Sequence, residues 1–183
     1  VELAVRYGQT LATAVDQVLK DKMKPLDGPL QVALERVDVP FQKPPTRQEI
    51  EERLKGADAA ARRARYLLEV LDREGSLPQR YPYPVQVWQF GRGLTLIALA
   101  GEVVVDYSLR LKGLYGWDDT WVAGYSNDVF AYIPSLRVLK EGGYEGGGGP
   151  SIPYGLASPF GAAVEEIIVE KVDELVRRTG GRN

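Results

Sequence analysis

Along the first twenty residues, Leu3, Tyr7, Leu11, Ala14, Val15 and Val18 fall three or four apart. That spacing predicts one apolar stripe of an amphipathic helix, which Pro25 and Gly28 stop. From Leu30 the period changes to two, with Leu30, Val32 and Leu34 on one side and then Val37 and Val39 in the opposite phase. The slip near Glu35 and Arg36 predicts a bulged strand. Pro44 and Pro45 interrupt the chain, and Thr46 followed three residues later by Glu49 is a capping box that opens a helix at Arg47. Gly56 marks a break, and residues 57 to 73, rich in Ala, Leu and Arg, continue as a second helix closed by Gly75.

Prolines after Tyr81 and Tyr83 keep that segment extended, because the residue before proline is disfavoured in helix. Residues 85 to 90 read as a strand, and Gly91-Arg92-Gly93 as the hairpin turn into the next one. The run from Leu94 to its end at Gly101-Glu102 is continuously apolar, which predicts a strand covered on both faces. Val103, Tyr107, Arg110 and Leu111 would share one helical face, giving a helix over 103–113. A short strand over 120–126 leads to Asn127-Asp128, and a brief helix over 135–141 lies between Pro134 and Gly142-Gly143. Ser158 as cap and Pro159 in the first turn open a final helix that buries Phe160, Ala163, Ile167 and Leu175 and runs to Gly180. Helices alternating with hairpin and crossover strands predict an α/β fold, a mixed β-sheet flanked by helices, in a single domain over residues 1–183.

Composition narrows the function classes. Twenty-three basic and twenty-five acidic residues give a formal charge of -2, without the positive excess that nucleic-acid binding requires. Arg62, Arg63 and Arg65 form the one tight basic cluster, and their helical setting among alanines reads as a solvated face. The chain has no cysteine, which excludes disulfides and thiolate ligands without identifying a compartment. No signal peptide and no transmembrane segment is visible in the sequence.

The candidate chemistry lies at the ends of the two apolar strands, where one meets Glu102 and the other Asn127-Asp128. Open α/β sheets place their sites beyond such strand ends. Read by position alone, Glu102 is either a carboxylate at the mouth of the sheet or a first-turn residue facing the positive end of the following helix. Tyr132 is a core aromatic or a ligand; Tyr144, in Gly143-Tyr144-Glu145-Gly146, is a packed turn residue or a substrate contact. Asn127 and Asp128 either orient such a group or form an Asx turn. The run Gly146 to Gly149 lacks the Lys-Ser/Thr of a phosphate loop and reads as a flexible segment.

Three short motifs in order and spacing carry a resemblance: Ala100-Gly101-Glu102, then Asn127 with Tyr132-Ile133 five residues on, then Tyr144-Glu145-Gly146 twelve residues after Tyr132. The chain resembles the catalytic domain of the neutral/alkaline non-lysosomal ceramidases over most of its length, most densely between residues 94 and 160. The resemblance implies a zinc-dependent amidohydrolase acting on the N-acyl amide of a ceramide-like lipid, secreted or periplasmic. Glu102 and Tyr132 would be ligands to one zinc ion, and Tyr144 would stand near the scissile amide as a donor to the oxyanion. In that family two histidines and a serine nucleophile lie far upstream, and this chain has no histidine at all. Together with Val at position 1, this leads to the expectation that the chain is the C-terminal half of such a domain and completes its site with an upstream half. Alternatives are a hydrolase of another amide or ester on the same scaffold, and a metal-free binding or structural domain.

Overall fold

Apart from two added two-residue strands, the elements form in the order anticipated from periodicity. Helix α1 (Glu2–Lys20) precedes strand β1 (Leu30–Pro40), and α2 (Arg47–Arg53) and α3 (Ala59–Glu74) follow. Then come β2 (Arg80–Phe90), β3 (Leu94–Leu99), β4 (Glu102–Val103), α4 (Val105–Tyr115), β5 (Thr120–Ala123), β6 (Tyr132–Ile133), α5 (Leu136–Glu141) and α6 (Val164–Arg178). These assignments come from a computed structural model that describes residues 1–56, 58–147 and 156–180. The chain is an α/β protein with a mixed sheet of four strands flanked by helices. Strand order is β1-β2-β3-β5, with antiparallel pairs up to β3 and a parallel pair between β3 and β5. Glycine-rich Gly91-Arg92-Gly93 makes the hairpin turn between β2 and β3, and Gly91 has a φ of 53° with a Cβ-sized space already filled by the Asp27 carbonyl. Only glycine tolerates both constraints.

Cross-strand register sorts the side chains into two faces. Ala33, Val87 and Ile97 stand side by side on the inner face, and Val85 stands beside Leu99. All of these are buried under α6, which contributes Val164, Ile168, Val172 and Leu175, and α4 closes the β5 side through Tyr107 and Leu111. Each fully buried aliphatic side chain contributes about 1.5–3 kcal/mol of transfer free energy. On the same face Glu35 receives Lys171 and Arg178 from α6, which holds its carboxyl below the usual range.

The outer face differs from expectation. Val32, Trp88, Leu96 and Trp121 are register partners in one row across all four strands, and Val32 and Trp121 are 45% and 64% exposed. The strand over residues 94–101 was expected to be covered on both faces; instead Leu94 and Leu96 are only half-buried, since α4 and α6 both pack on the inner side. Strand β1 also has no bulge, because its eleven residues pair with β2 without interruption. The apparent phase slip is one phase facing outward at Leu30, Val32 and Leu34, and the other facing inward at Ala33, Val37 and Val39. Helix α1 forms as predicted, yet none of its residues is buried and its stripe of Leu3, Tyr7, Leu11 and Val15 is exposed.

Several boundaries move, and the strand expected over 120–126 ends at Ala123. Helix α4 is closed by Gly116 rather than Gly113 and starts at Val105, since Val103 belongs to strand β4 and Val104 is the cap. Strand β3 stops at Leu99, so Glu102 belongs to a separate pair and not to the main sheet. Helix α6 starts at Val164 and not at Ser158, since the Ser158 hydroxyl donates to the Gln42 carbonyl and Phe160 bridges Phe41 in extended conformation. Those contacts outcompete a helical start. The capping box at Thr46 and Glu49 forms as expected.

The two faces should respond differently to substitution. Ile97→Ala is expected to cost about 2–5 kcal/mol in urea unfolding, whereas Trp121→Ser should cost under about 1 kcal/mol. Equal losses would show that the outer face is packed in solution.

Candidate active site

The site is built beyond the carboxyl ends of the parallel strands β3 and β5. After Leu99 the chain turns at Gly101, whose φ is 66°; a Cβ there would lie 2.6 Å from the Ala131 carbonyl and 2.9 Å from the Ile133 side chain. Any larger residue would force strands β4 and β6 apart. With glycine in place, Glu102 N–H donates to Ala131 O at 2.8 Å and Val104 N–H to Ile133 O at 3.2 Å, closing a two-residue parallel ladder. Its register sets Glu102 directly beside Tyr132.

Neighbouring turns are fastened to the same glycine. Gly101 N–H donates to Asp128 O and Tyr125 N–H donates to Gly101 O, both at 2.8 Å, while Ser126 N–H donates to Leu99 O at 3.0 Å. Buried tyrosines hold the flanks: Tyr83 Oη donates to Ala100 O at 2.7 Å, and Tyr107 Oη to Pro134 O at 3.1 Å. Each hydroxyl satisfies a carbonyl that would otherwise be buried without a partner. Tyr125 and Asn127 have φ values of 53° and 66°, a region that residues other than glycine seldom occupy. Such strain is held only where surrounding hydrogen bonds fix the loop, and it clusters at functional sites.

Four side chains meet here. Tyr144 presents its ring edge to Tyr132, with centroids 5.3 Å apart and planes at 73°. The Tyr125 phenol is pushed up to about 12, first by its hydrogen bond to the Glu102 carboxylate and then by desolvation. Burial, then Glu102, then Tyr144 raise the Tyr132 phenol in the same direction. At neutral pH both phenols are therefore protonated, and both lie close enough to the Glu102 carboxylate for its charge to act on them.

The structure thus brings Glu102, Tyr132 and Tyr144 together although they lie up to 42 positions apart (144 − 102). Tyr125 joins them and was not singled out in the sequence reading. Its signal was its place two residues beyond the end of β5, at the edge where parallel sheets carry chemistry. Asn127 and Asp128 do not touch Tyr132: the Asn127 amide donates to Gln86 Oε1, and Asp128 accepts the Tyr81 hydroxyl at 2.5 Å. They anchor the turn. Gly148 and Gly149 of the glycine run lie outside the described residues, while Gly146 packs so closely on α5 that a Cβ would sit 2.4 Å from Gly142 O and 2.6 Å from Val138 O.

As metal donors, a carboxylate oxygen and a phenol oxygen on adjacent strands suit zinc, which accepts oxygen ligands in a tetrahedral set. They would account for two of four positions. Among the described residues no group of three or more His, Cys, Asp and Glu converges on one point.

The helix carrying the Tyr144 loop is itself clamped. Asp106 on α4 accepts Ser135 Oγ at 2.5 Å and the Arg137 guanidinium at 2.8 and 3.0 Å, and Leu136 N–H donates to Glu165 on α6 at 2.8 Å. Arg137 first, then Ser135, hold the Asp106 carboxyl below the ordinary range. A depressed folded-state pKa stabilises above the unfolded value and is lost as pH falls through the lowered one. Asp106→Asn is accordingly expected to cost roughly 1–2 kcal/mol at neutral pH and progressively less below about pH 4, a difference that urea titrations at pH 7 and pH 3 would resolve. An equal cost at both pH values would contradict the clamp. No protein-family model matches the chain and no curated protein matches it significantly, so the functional case rests on this geometry and on the short motifs.

Proposed function

We propose that this chain is the C-terminal half of the catalytic domain of a zinc-dependent amidohydrolase that resembles neutral ceramidase and cleaves the N-acyl amide of ceramide-like lipids. The observation that carries the reading is the β4–β6 register, which sets Glu102 beside Tyr132 with Tyr144 against the Tyr132 ring. Two residues thirty positions apart (132 − 102) that the motifs name as ligands stand on adjacent strands, and the third named residue touches the second.

Bound zinc would polarise an amide carbonyl and lower the pKa of a coordinated water or hydroxyl. Glu102 would contribute a charged oxygen and Tyr132 a second oxygen. Tyr125, whose phenol feels the same carboxylate, would help to hold Glu102 in one orientation, as partners of metal ligands commonly do. Tyr144 is 62% exposed, so its hydroxyl is available to a substrate; it would donate a hydrogen bond to the oxygen on which charge develops. The remaining ligands and the nucleophile would come from an upstream half. The outer sheet row of Val32, Trp88, Leu96 and Trp121 supports this, because an apolar face of that extent is the kind that another layer covers.

In the complete protein, Glu102→Gln removes a charge that helps hold the metal and is expected to lower zinc content and turnover together. Tyr144→Phe keeps the ring contact and should lower kcat by about 10²- to 10³-fold with zinc retained. Metal analysis beside hydrolysis of an N-acyl sphingoid substrate reads both. Full zinc occupancy in Glu102→Gln with near-normal turnover in Tyr144→Phe would overturn the assignment. The 183-residue chain alone should neither turn over substrate nor hold zinc tightly, since two donors do not close a tetrahedral site.

A further inference from the structure

The basic cluster on α3 is not uniformly solvated, as its helical setting had suggested. Arg63 is half-buried, and its Nη2 donates to the carbonyls of Leu156 and Ala157 at 2.8 and 2.9 Å. Its Nε is fully enclosed and has no hydrogen-bond partner. Leaving a buried charged donor unpaired costs about 1–3 kcal/mol or more, a cost that negative charge placed beside the guanidinium would reduce.

The surroundings say what kind of partner. Arg63 lines a cavity of about 280 Å³ together with Lys43, Arg53, Glu49 and the 157–159 segment. Below it a nook of about 30 Å³, lined by Pro45, Ile50, Ala64 and Leu67, again includes Arg53 and Arg63. Three cations therefore face one carboxylate. That carboxylate is already engaged, since Glu49 accepts the backbone N–H and the hydroxyl of Thr46 in the capping box. Among the described residues neither Lys43 nor Arg53 forms an ion pair within 4.0 Å, although both act on Glu49 at longer range. Burial first, and then repulsion from Arg53, lower the Arg63 pKa. Pro44, Pro45 and Pro159 line the cavity without any N–H of their own, which leaves the cationic side chains as its principal donors.

We infer that this cavity is a binding site for a small oxyanion, a carboxylate or phosphate group, held among the cationic side chains of Arg63, Arg53 and Lys43. Arginine forks suit both planar and tetrahedral oxyanions. The site is separate from Glu102 and Tyr132 and does not depend on the zinc reading. An anion there would tie α3, the capped start of α2 and the segment at Ala157 into one unit.

The test uses the Arg63 Nε–H resonance of the ¹⁵N-labelled chain, assigned by its loss in Arg63→Lys, during titration with sodium phosphate, sodium acetate or sodium chloride. Saturable movement with phosphate or acetate, at a dissociation constant of about 1 mM or tighter, is expected, and the better anion identifies the geometry preferred. Arg53→Gln and Lys43→Gln alter exposed rim residues and should each weaken that binding by roughly fivefold to tenfold. Absence of saturation with either oxyanion up to about 20 mM, an equal response to chloride, or unchanged affinity in both rim variants would each overturn the site.

Discussion

The function proposed for this protein depends on how closely two short strands can approach. The Glu102–Tyr132 pair exists because position 101 has no Cβ and adopts a positive φ, which lets the chain leave β3, turn, and bond to Ala131 and Ile133 within one residue. A methyl group there would meet a carbonyl and an isoleucine side chain in a site already bounded by the Tyr125 and Asp128 turns. The geometry is held by backbone hydrogen bonds and by two buried tyrosine hydroxyls, not by the polar side chains of the site. Those polar groups are consequently free to serve chemistry.

The main sheet serves the site by being rigid on one side. Helix α6 packs on β1 and β2 and α4 on β5; an ion pair from Arg110 to Glu165 joins α4 to α6, and one from Arg137 to Asp106 joins α5 to α4. Tyr144 therefore rides on a helix held from two directions, with only its loop projecting. The opposite face of the sheet carries a continuous apolar row, and the stripe of α1 is bare as well. A four-stranded sheet with one helical layer is half of the usual α/β arrangement, in which parallel strands are buried on both sides. No helix among the described residues is long and apolar enough to cross a membrane.

Much of this was legible from periodicity. The capping box at Thr46 and Glu49, the hairpin at Gly91-Arg92-Gly93 and the brief helix after Ser135 are signalled by local chemistry that tertiary packing does not override. What failed was information held in three dimensions. Apolar runs do not say which face will find a partner, so Leu94 and Leu96 looked as buried as Ile97 and Leu99. The phase change in β1 looked like a bulge because both faces of that strand are apolar. Ser158-Pro159 has the form of a helix start, and nothing local reveals that Gln42 and Phe41 capture it first. At the site, Glu102, Tyr132 and Tyr144 were found through motifs, whereas Tyr125 required knowing that its backbone folds back on Gly101. Arg63 was indistinguishable from its neighbours until burial separated it from them.

The central claim is that Glu102 and Tyr132 are two oxygen donors to one metal ion. Titration of the ¹³C-labelled chain with Zn²⁺, following the Glu102 carboxyl carbon and the Tyr132 ring, tests it most directly. The account predicts that both signals move together and saturate together, with an affinity in the weak range of about 0.1–1 mM expected of an incomplete site, and that Glu102→Gln abolishes the movement at Tyr132. Saturation at other carboxylates while these two signals stay still would contradict it.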